Sequence, residues 1–129
     1  RAAVRALAAA SFKLALVSGS SRAEIATILA HLNLVNEFEF FLGAEDYPNS
    51  KPAPDVYLKA MKRLNTTPKE TLVFEDSEAG ILSGLAAGAW VVAISSTNHA
   101  NFSQAQAHVQ IPDLTPVTPE WVRSLHLEP

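Results

Sequence analysis

Apolar runs of strand length, Leu14–Val17, Glu39–Leu42, Thr71–Phe74 and Trp90–Ile94, recur along this chain with helix-length segments between them. Strands separated by helices of ten or so residues cannot pair as hairpins, and they predict an α/β fold with a mainly parallel sheet covered on both faces. Local signals place the helices. Arg1–Ala10 is Ala-rich, with Val4, Leu7 and Ala8 at helical spacing and no breaker. Ser21-Arg-Ala-Glu24 has the capping-box pattern and opens a helix with Ile25, Ile28, Leu29 and Leu32 on one face. Pro54 suits the first turn of a helix through about Leu64 that turns Tyr57, Leu58, Met61 and Leu64 inward. Thr67-Pro-Lys-Glu70 is a second capping-type turn, and a helix from Ser77 or Glu78 to Ala87 stops at Gly88. A short strand is expected at His108–Ile111, and Thr118-Pro119-Glu120 starts the last helix.

Composition narrows the function classes. The 129 residues are 48% hydrophobic and 18% charged, the balance of a soluble globular domain with a real core. With no cysteine, disulfides, thiolate metal sites and thiol catalysis are excluded together. A net charge of −3 without a basic stripe argues against nucleic acid as a partner. No apolar run approaches the ~20 residues of a membrane span, and no membrane partner is expected. A reducing, cytoplasmic setting is the default expectation. Met61 is the only methionine, so Arg1 is not read as a translation start.

Two strands end in chemistry. Leu14–Val17 runs into Ser18-Gly19-Ser20, and Leu72-Val-Phe74 runs into Glu75-Asp76-Ser77. In open parallel sheets, ligands gather where strand carboxyl ends meet helix N-termini. Backbone N–H groups after Ser18, beside the positive end of a helix dipole, could hold an anion such as phosphate, and Gly19 would let it approach the main chain. Read alone, the same residues are an ordinary β-to-α turn with Ser as cap. Lys51 sits in Asn-Ser-Lys-Pro-Ala-Pro-Asp, where prolines limit where its ammonium can point; read alone it is a solvated surface lysine. Adjacent carboxylates at the end of a buried strand repel one another unless a cation sits between them. Oxygen donors with no His or Cys nearby suit Mg²⁺. The plainer reading has Asp76 or Ser77 capping the next helix. His31, His99, His108 and His126 show no ligand spacing; Glu45, Asp46 and Asp55 read as loop or helix-start acids, and Trp90 and Trp121 as packing residues.

In their order, Ser18-Gly19-Ser20, Lys51-Pro-Ala-Pro-Asp55, and V-F-E-D-S-x-x-G-I with Ala86-Ala87-Gly88 after it resemble the haloacid dehalogenase-like (HAD) hydrolases. Within them the match is to phosphatases and β-phosphoglucomutase-like enzymes with a helical cap. The resemblance covers about Arg1 to Leu125 and implies a Rossmann-like three-layer α/β/α core whose sheet is ordered 5-4-1-2-3. Residues 1–129 would be the C-terminal part of that core, lacking its first, central strand and the cap. The resemblance assigns Ser18, Gly19 and Lys51 to phosphate binding, with Lys51 and Ser18 in the catalytic machinery. Asp76 becomes a Mg²⁺ ligand, Glu75 a ligand or close partner, and Gly80 the small residue for close helix–sheet packing. Many phosphatases of the family have Asn where this chain has Gly19. The family's nucleophile, the first Asp of a D-x-D pair, has no counterpart in these residues.

Three functions follow as expectations. The first is a Mg²⁺-dependent phosphatase of a small phosphorylated metabolite such as a sugar phosphate. The others are a β-phosphoglucomutase-like isomerase and a non-catalytic scaffold. These 129 residues alone are expected to be inactive, and the central strand position to be filled by another segment or chain.

Overall fold

The computed structural model describes residues 2–99 and 103–125. Arg1 and His126 lie outside them. The elements are α1 (Ala2–Ala9), β1 (Ala15–Val17), α2 (Arg22–Leu32), β2 (Phe40–Leu42), α3 (Asp55–Leu64), β3 (Leu72–Glu75), α4 (Glu78–Ala86), β4 (Trp90–Ile94), β5 (Val109–Ile111) and α5 (Pro119–Ser124). Among the described residues no helix is long and apolar enough to cross a membrane.

Helix ends follow the local chemistry of the sequence. Ser21 and Glu24 form a reciprocal capping box at α2, satisfying two N–H groups that the helix itself leaves unpaired. Thr67 and Glu70 do the same for a single 3-10 turn ahead of β3. Gly88 adopts φ +84°, a left-handed conformation that a side chain would strain, so the chain can turn from α4 into β4. The helical stripes differ from expectation at two positions. Helix α3 buries Val56, Tyr57, Ala60, Met61 and Leu64, which leaves Leu58 off the stripe and 49% exposed. Helix α2 buries Ile25 and Leu29, and Ile28 falls at the stripe's edge, 53% exposed.

All strand pairs are parallel, as the crossovers require. Alternation along the strands sends side chains to two faces. On one face Val73, Val91 and Ala93 join Val56, Tyr57, Ala60 and Met61 of α3 and Ile81 of α4. On the other, Val92 and Ile111 pack with Leu7 and Val117, flanked by Trp121 and Val122 of α5. A third group, Ile25, Leu29 and Leu34, packs on Leu16 and Phe41. Val91 and Val92 are both fully buried, each side chain contributing about 1.5–3 kcal/mol of transfer free energy. Gly84 lets α4 sit close to the sheet, because a Cβ there would stand 2.9 Å from Val91 Cγ2.

The strands form two ladders rather than one, β1-β2 and β3-β4-β5. Between them lies a cavity of about 430 Å³, with Leu14–Val17 along one side and Leu72–Glu75 along the other. Tyr57, Ala60 and Leu64 of α3 close one face of it, and Leu7 and Val122 line the other. With β1, β2, β3 and β4 as the expected second, third, fourth and fifth strands, the layout follows the expected order with its central position open, and β5 adds a further strand outside β4. The facing edges of β1 and β3 are thus the open edges of two parallel ladders, a ready template for one more strand.

Candidate active site at the carboxyl ends of the strands

Glu75 is the last residue of β3, and its side chain is only 9% exposed. A carboxylate so placed must find donors. It finds two: Lys51 Nζ and the Tyr57 hydroxyl both donate to Glu75 Oε2. The Lys51 ammonium also lies 5.3 Å from the centre of the Tyr57 ring. Burial, and then the neighbouring Glu75 charge, push the Tyr57 hydroxyl far above its ordinary pKa, so it stays protonated and remains a donor. The cation beside Glu75 is therefore a lysine from the proline loop. Sequence reading named both residues but gave them separate tasks; the fold brings them together.

The lysine loop is pinned from several sides. The Lys51–Pro52 peptide is cis. Ser83, fully buried on α4, donates to the Ala53 carbonyl at 2.7 Å, and Asn49 Nδ2 donates to Asp55 Oδ2 at 3.0 Å. Gly80 serves this cluster too. A Cβ at that position would stand 2.7 Å from Glu75 Oε2 and would strike the rest of the carboxylate. The absent side chain at 80 makes room for the Glu75 carboxylate, while helix–sheet approach depends on Gly84.

Asp76 follows β3 directly, and Ser77 then caps α4 by accepting from the Gly80 N–H at 3.0 Å. Among the described residues the Asp76 carboxylate makes no hydrogen bond or ion pair. It borders a second cavity, of about 480 Å³, together with Glu75, Ser96, Thr97 and Asp113. Among the described residues no three His, Cys, Asp or Glu side chains cluster closely enough to hold an ion by themselves. A lone free carboxylate in an oxygen-only setting fits Mg²⁺, which usually keeps several waters and takes one or two protein carboxylates plus substrate phosphate. It does not fit a thiolate- or imidazole-binding metal.

Ser18 follows β1 at the same end of the sheet. Its Oγ accepts from the Ser20 N–H at 3.1 Å, which leaves the hydroxyl hydrogen free to donate elsewhere. Its carbonyl accepts from the Tyr47 hydroxyl at 3.1 Å. Burial, and then the charges of Asp46 and Glu75, raise the Tyr47 hydroxyl above its ordinary pKa, so it stays a donor. A Cβ on Gly19 would meet nothing within 4 Å, and its N–H has no partner among the described residues. The first turn of α2 offers less than the sequence implied. Ser21 N–H and Arg22 N–H are taken by Glu24 and Glu45 side chains at 3.3 and 2.9 Å, and Glu24 N–H by Ser21 Oγ at 3.2 Å. Anion-binding capacity in this turn thus centres on Ser18 and Gly19 rather than on the helix start.

Tyr57, Tyr47 and Gln104 were not singled out for the site from sequence. Tyr57 was visible only as an inward position of α3, and Gln104 carried no signal. His108, which shows no ligand spacing in the sequence, accepts from the Val91 N–H through Nδ1 at 3.0 Å and packs edge-on to Trp90 at 4.8 Å. Trp90 also donates to the Lys69 carbonyl.

The Haloacid dehalogenase-like hydrolase family model matches residues 1–94. Validoxylamine A 7'-phosphate phosphatase of Streptomyces hygroscopicus subsp. limoneus is 34% identical over 104 residues, 81% of this chain and 48% of that protein. Phosphoglycolate phosphatase of Aquifex aeolicus (strain VF5) is 32% identical over 112 residues, 87% of this chain and 50% of that protein. The crystal structure of a HAD hydrolase, family IA, variant 3, from Entamoeba histolytica superposes with a TM-score of 0.80 at 27% identity, over 95% of this chain and 56% of that one. The chain spans about half the length, or less, of the curated relatives it matches. With two parallel ladders flanking an open central position and polar residues at the strand ends, the chain belongs to the haloacid dehalogenase-like hydrolases, a family of enzymes.

Proposed function

We propose that these residues form the phosphate- and metal-binding part of a Mg²⁺-dependent phosphatase acting on a small phosphorylated metabolite such as a sugar phosphate. The observation that carries this reading is the gathering of Lys51, Glu75, Asp76 and the Ser18 turn at the carboxyl ends of the strands, beside the cavity that separates β1 from β3. Relatives more than 30% identical include proteins named as phosphatases of phosphorylated small molecules.

Lys51 supplies fixed positive charge for the transferring phosphoryl oxygens, with Glu75 and Tyr57 holding its ammonium in place. Ser18 donates its hydroxyl hydrogen to a phosphate oxygen, and the Gly19 N–H donates a second. Asp76 is the carboxylate that would hold Mg²⁺, with Glu75 as its near neighbour, and a cation held there would supply positive charge to offset that of the phosphoryl group. The nucleophile is an Asp at the end of a strand that fills the slot between β1 and β3. That strand and the cap that selects substrate belong to polypeptide outside these 129 residues. A strand there pairs the open edges of β1 and β3, where each buried group left unpaired costs on the order of 1–3 kcal/mol.

The reading is tested in a polypeptide that supplies the central strand, assayed for release of inorganic phosphate from a panel of sugar phosphates. Lys51→Ala should lower turnover at least ~10²-fold, the order seen when one preorganised electrostatic donor is lost. Ser18→Ala should lower it less, because the Gly19 N–H remains. Asp76→Asn should abolish Mg²⁺-dependent turnover and Glu75→Gln should reduce it less severely. Unchanged turnover in Lys51→Ala or Asp76→Asn would defeat the assignment, and isomer formation in place of phosphate release would select the mutase reading.

A further inference from the structure

Gln104 lies outside the regular elements, between β4 and β5, yet its side chain is only 6% exposed. A buried primary amide has two N–H donors and a carbonyl to satisfy. Gln104 Nε2 donates to the Asp76 carbonyl at 2.9 Å and to the Ile94 carbonyl at 2.7 Å. Its Oε1 accepts from Gln110 Nε2, on β5, at 2.7 Å. Both acceptors on the donor side are carbonyls, so the amide has one orientation; the flipped form would set oxygen against oxygen twice.

The place of these bonds in the sheet gives them meaning. The β3-β4 ladder ends at the pair Glu75 and Ala93. The next two residues are Asp76 and Ile94, where the strands part to form the mouth of the site. Gln104 bridges those two carbonyls and replaces the missing rung with a side chain. Asp76 is then held on both sides, by this bridge at its own carbonyl and by Ser77 capping α4 immediately after it. With the main chain fixed, only the Asp76 side-chain torsions remain to be ordered when a ligand binds.

We propose that Gln104 is a positioning residue for Asp76, holding its main chain so that the carboxylate is preset to take a divalent cation. The proposal rests on the reading of Asp76 as the metal-binding carboxylate. Gln110 orients the amide through its Oε1 and so acts on Asp76 at one remove.

The test uses Mn²⁺ alone as the probe, its binding to the 129-residue protein followed by electron paramagnetic resonance well below the melting temperature. Asp76→Asn is the reference: it should lose binding, and wild-type affinity in that variant would defeat the metal reading itself. Gln104→Met keeps the length of the side chain and removes all three hydrogen bonds. It should fold with an unchanged far-UV spectrum and bind Mn²⁺ at least about tenfold more weakly. Leu29→Ala, a core truncation under α2, should lower stability without moving the Mn²⁺ affinity, which separates positioning from general stability. A folded Gln104→Met with wild-type affinity, alongside an Asp76→Asn that no longer binds Mn²⁺, overturns the role of Gln104 and leaves the metal reading standing. Should Gln104→Met not fold, the exposed Gln110→Ala decides. A loss of about threefold in affinity supports the proposal, and no change overturns it.

Discussion

Replacing Gly80 by alanine should destabilise the protein, and only while Glu75 is present. The new Cβ would stand 2.7 Å from Glu75 Oε2 and would overlap the rest of that carboxylate. The carboxylate is the mobile end of a side chain, so it would swing away and leave the α4 backbone in place. Swinging away breaks the bonds from Lys51 and Tyr57. Hydrogen bonds to a charged group contribute about 1.5–3 kcal/mol each. The open slot beside Glu75 lets water recover part of that, which sets the loss at about 2–3 kcal/mol. Alanine in a helix offsets up to about 1 kcal/mol of it. The net cost is then about 1–2 kcal/mol, enough to lower a urea midpoint by about 0.5–1 M. In a Glu75→Ala background the clash has no partner, and Gly80→Ala should stabilise by up to about 1 kcal/mol. Equilibrium urea unfolding of the four proteins in this double-mutant cycle reads the coupling. Equal effects of Gly80→Ala in both backgrounds would refute the reasoning.

Tyr57→Phe removes one donor from the buried Glu75 carboxylate and should cost about 1.5–3 kcal/mol by urea unfolding; a cost under 0.5 kcal/mol would show that Lys51 alone satisfies it. Ser83→Ala strands the Ala53 carbonyl beneath the Lys51 loop and should cost about 1–3 kcal/mol, with faster amide exchange confined to residues 50–55. Asp46 clips the loop after β2: it accepts from the Gly43 N–H at 2.8 Å and pairs with Arg22 at 2.8 Å. The Gly43 hydrogen bond above all holds its carboxyl below the ordinary carboxylate range. A depressed folded pKa means stability that is present above the unfolded value and lost as pH falls through the folded one. Wild type should therefore exceed Asp46→Asn in stability above about pH 4, and the difference should vanish at lower pH. A difference that persists undiminished at pH 2 would contradict this.

What was legible in the sequence was what local chemistry decides. The capping pair Ser21 and Glu24, the turn at Thr67 and Glu70, the stop at Gly88 and the strand Trp90–Ile94 all stand where their residues put them. The strand-end location of Ser18 and of Glu75-Asp76 was equally readable, because an apolar run that stops at polar residues marks the end of a buried strand. What distant parts of the chain decide together was not readable. Lys51 and Glu75 are 24 residues apart, and their pairing depends on how the proline loop crosses the end of β3. The hydroxyl of Tyr57 was hidden by the stripe that made it look like core. Gly80 and Gly84 occupy successive turns of one helix, and only the fold shows that the first faces a carboxylate and the second a valine. The helix α2 start looked more open to anions than it is because Glu45, which takes the Arg22 N–H, comes from the turn after β2. Gln104 lies in a polar stretch with no periodicity, and its amide finds its carbonyls through tertiary structure alone.

The most direct test of the account is Mg²⁺-dependent release of inorganic phosphate from a sugar phosphate. It is measured on Arg1–Pro129 alone and on a polypeptide in which a strand ending in Asp precedes it and can enter the slot between β1 and β3. Turnover is predicted only with the strand, lost again when that Asp becomes Asn, and at background for Arg1–Pro129. Robust Mg²⁺-dependent turnover by purified Arg1–Pro129 would contradict the account, because it would place the nucleophile within these 129 residues rather than on the central strand proposed to carry it.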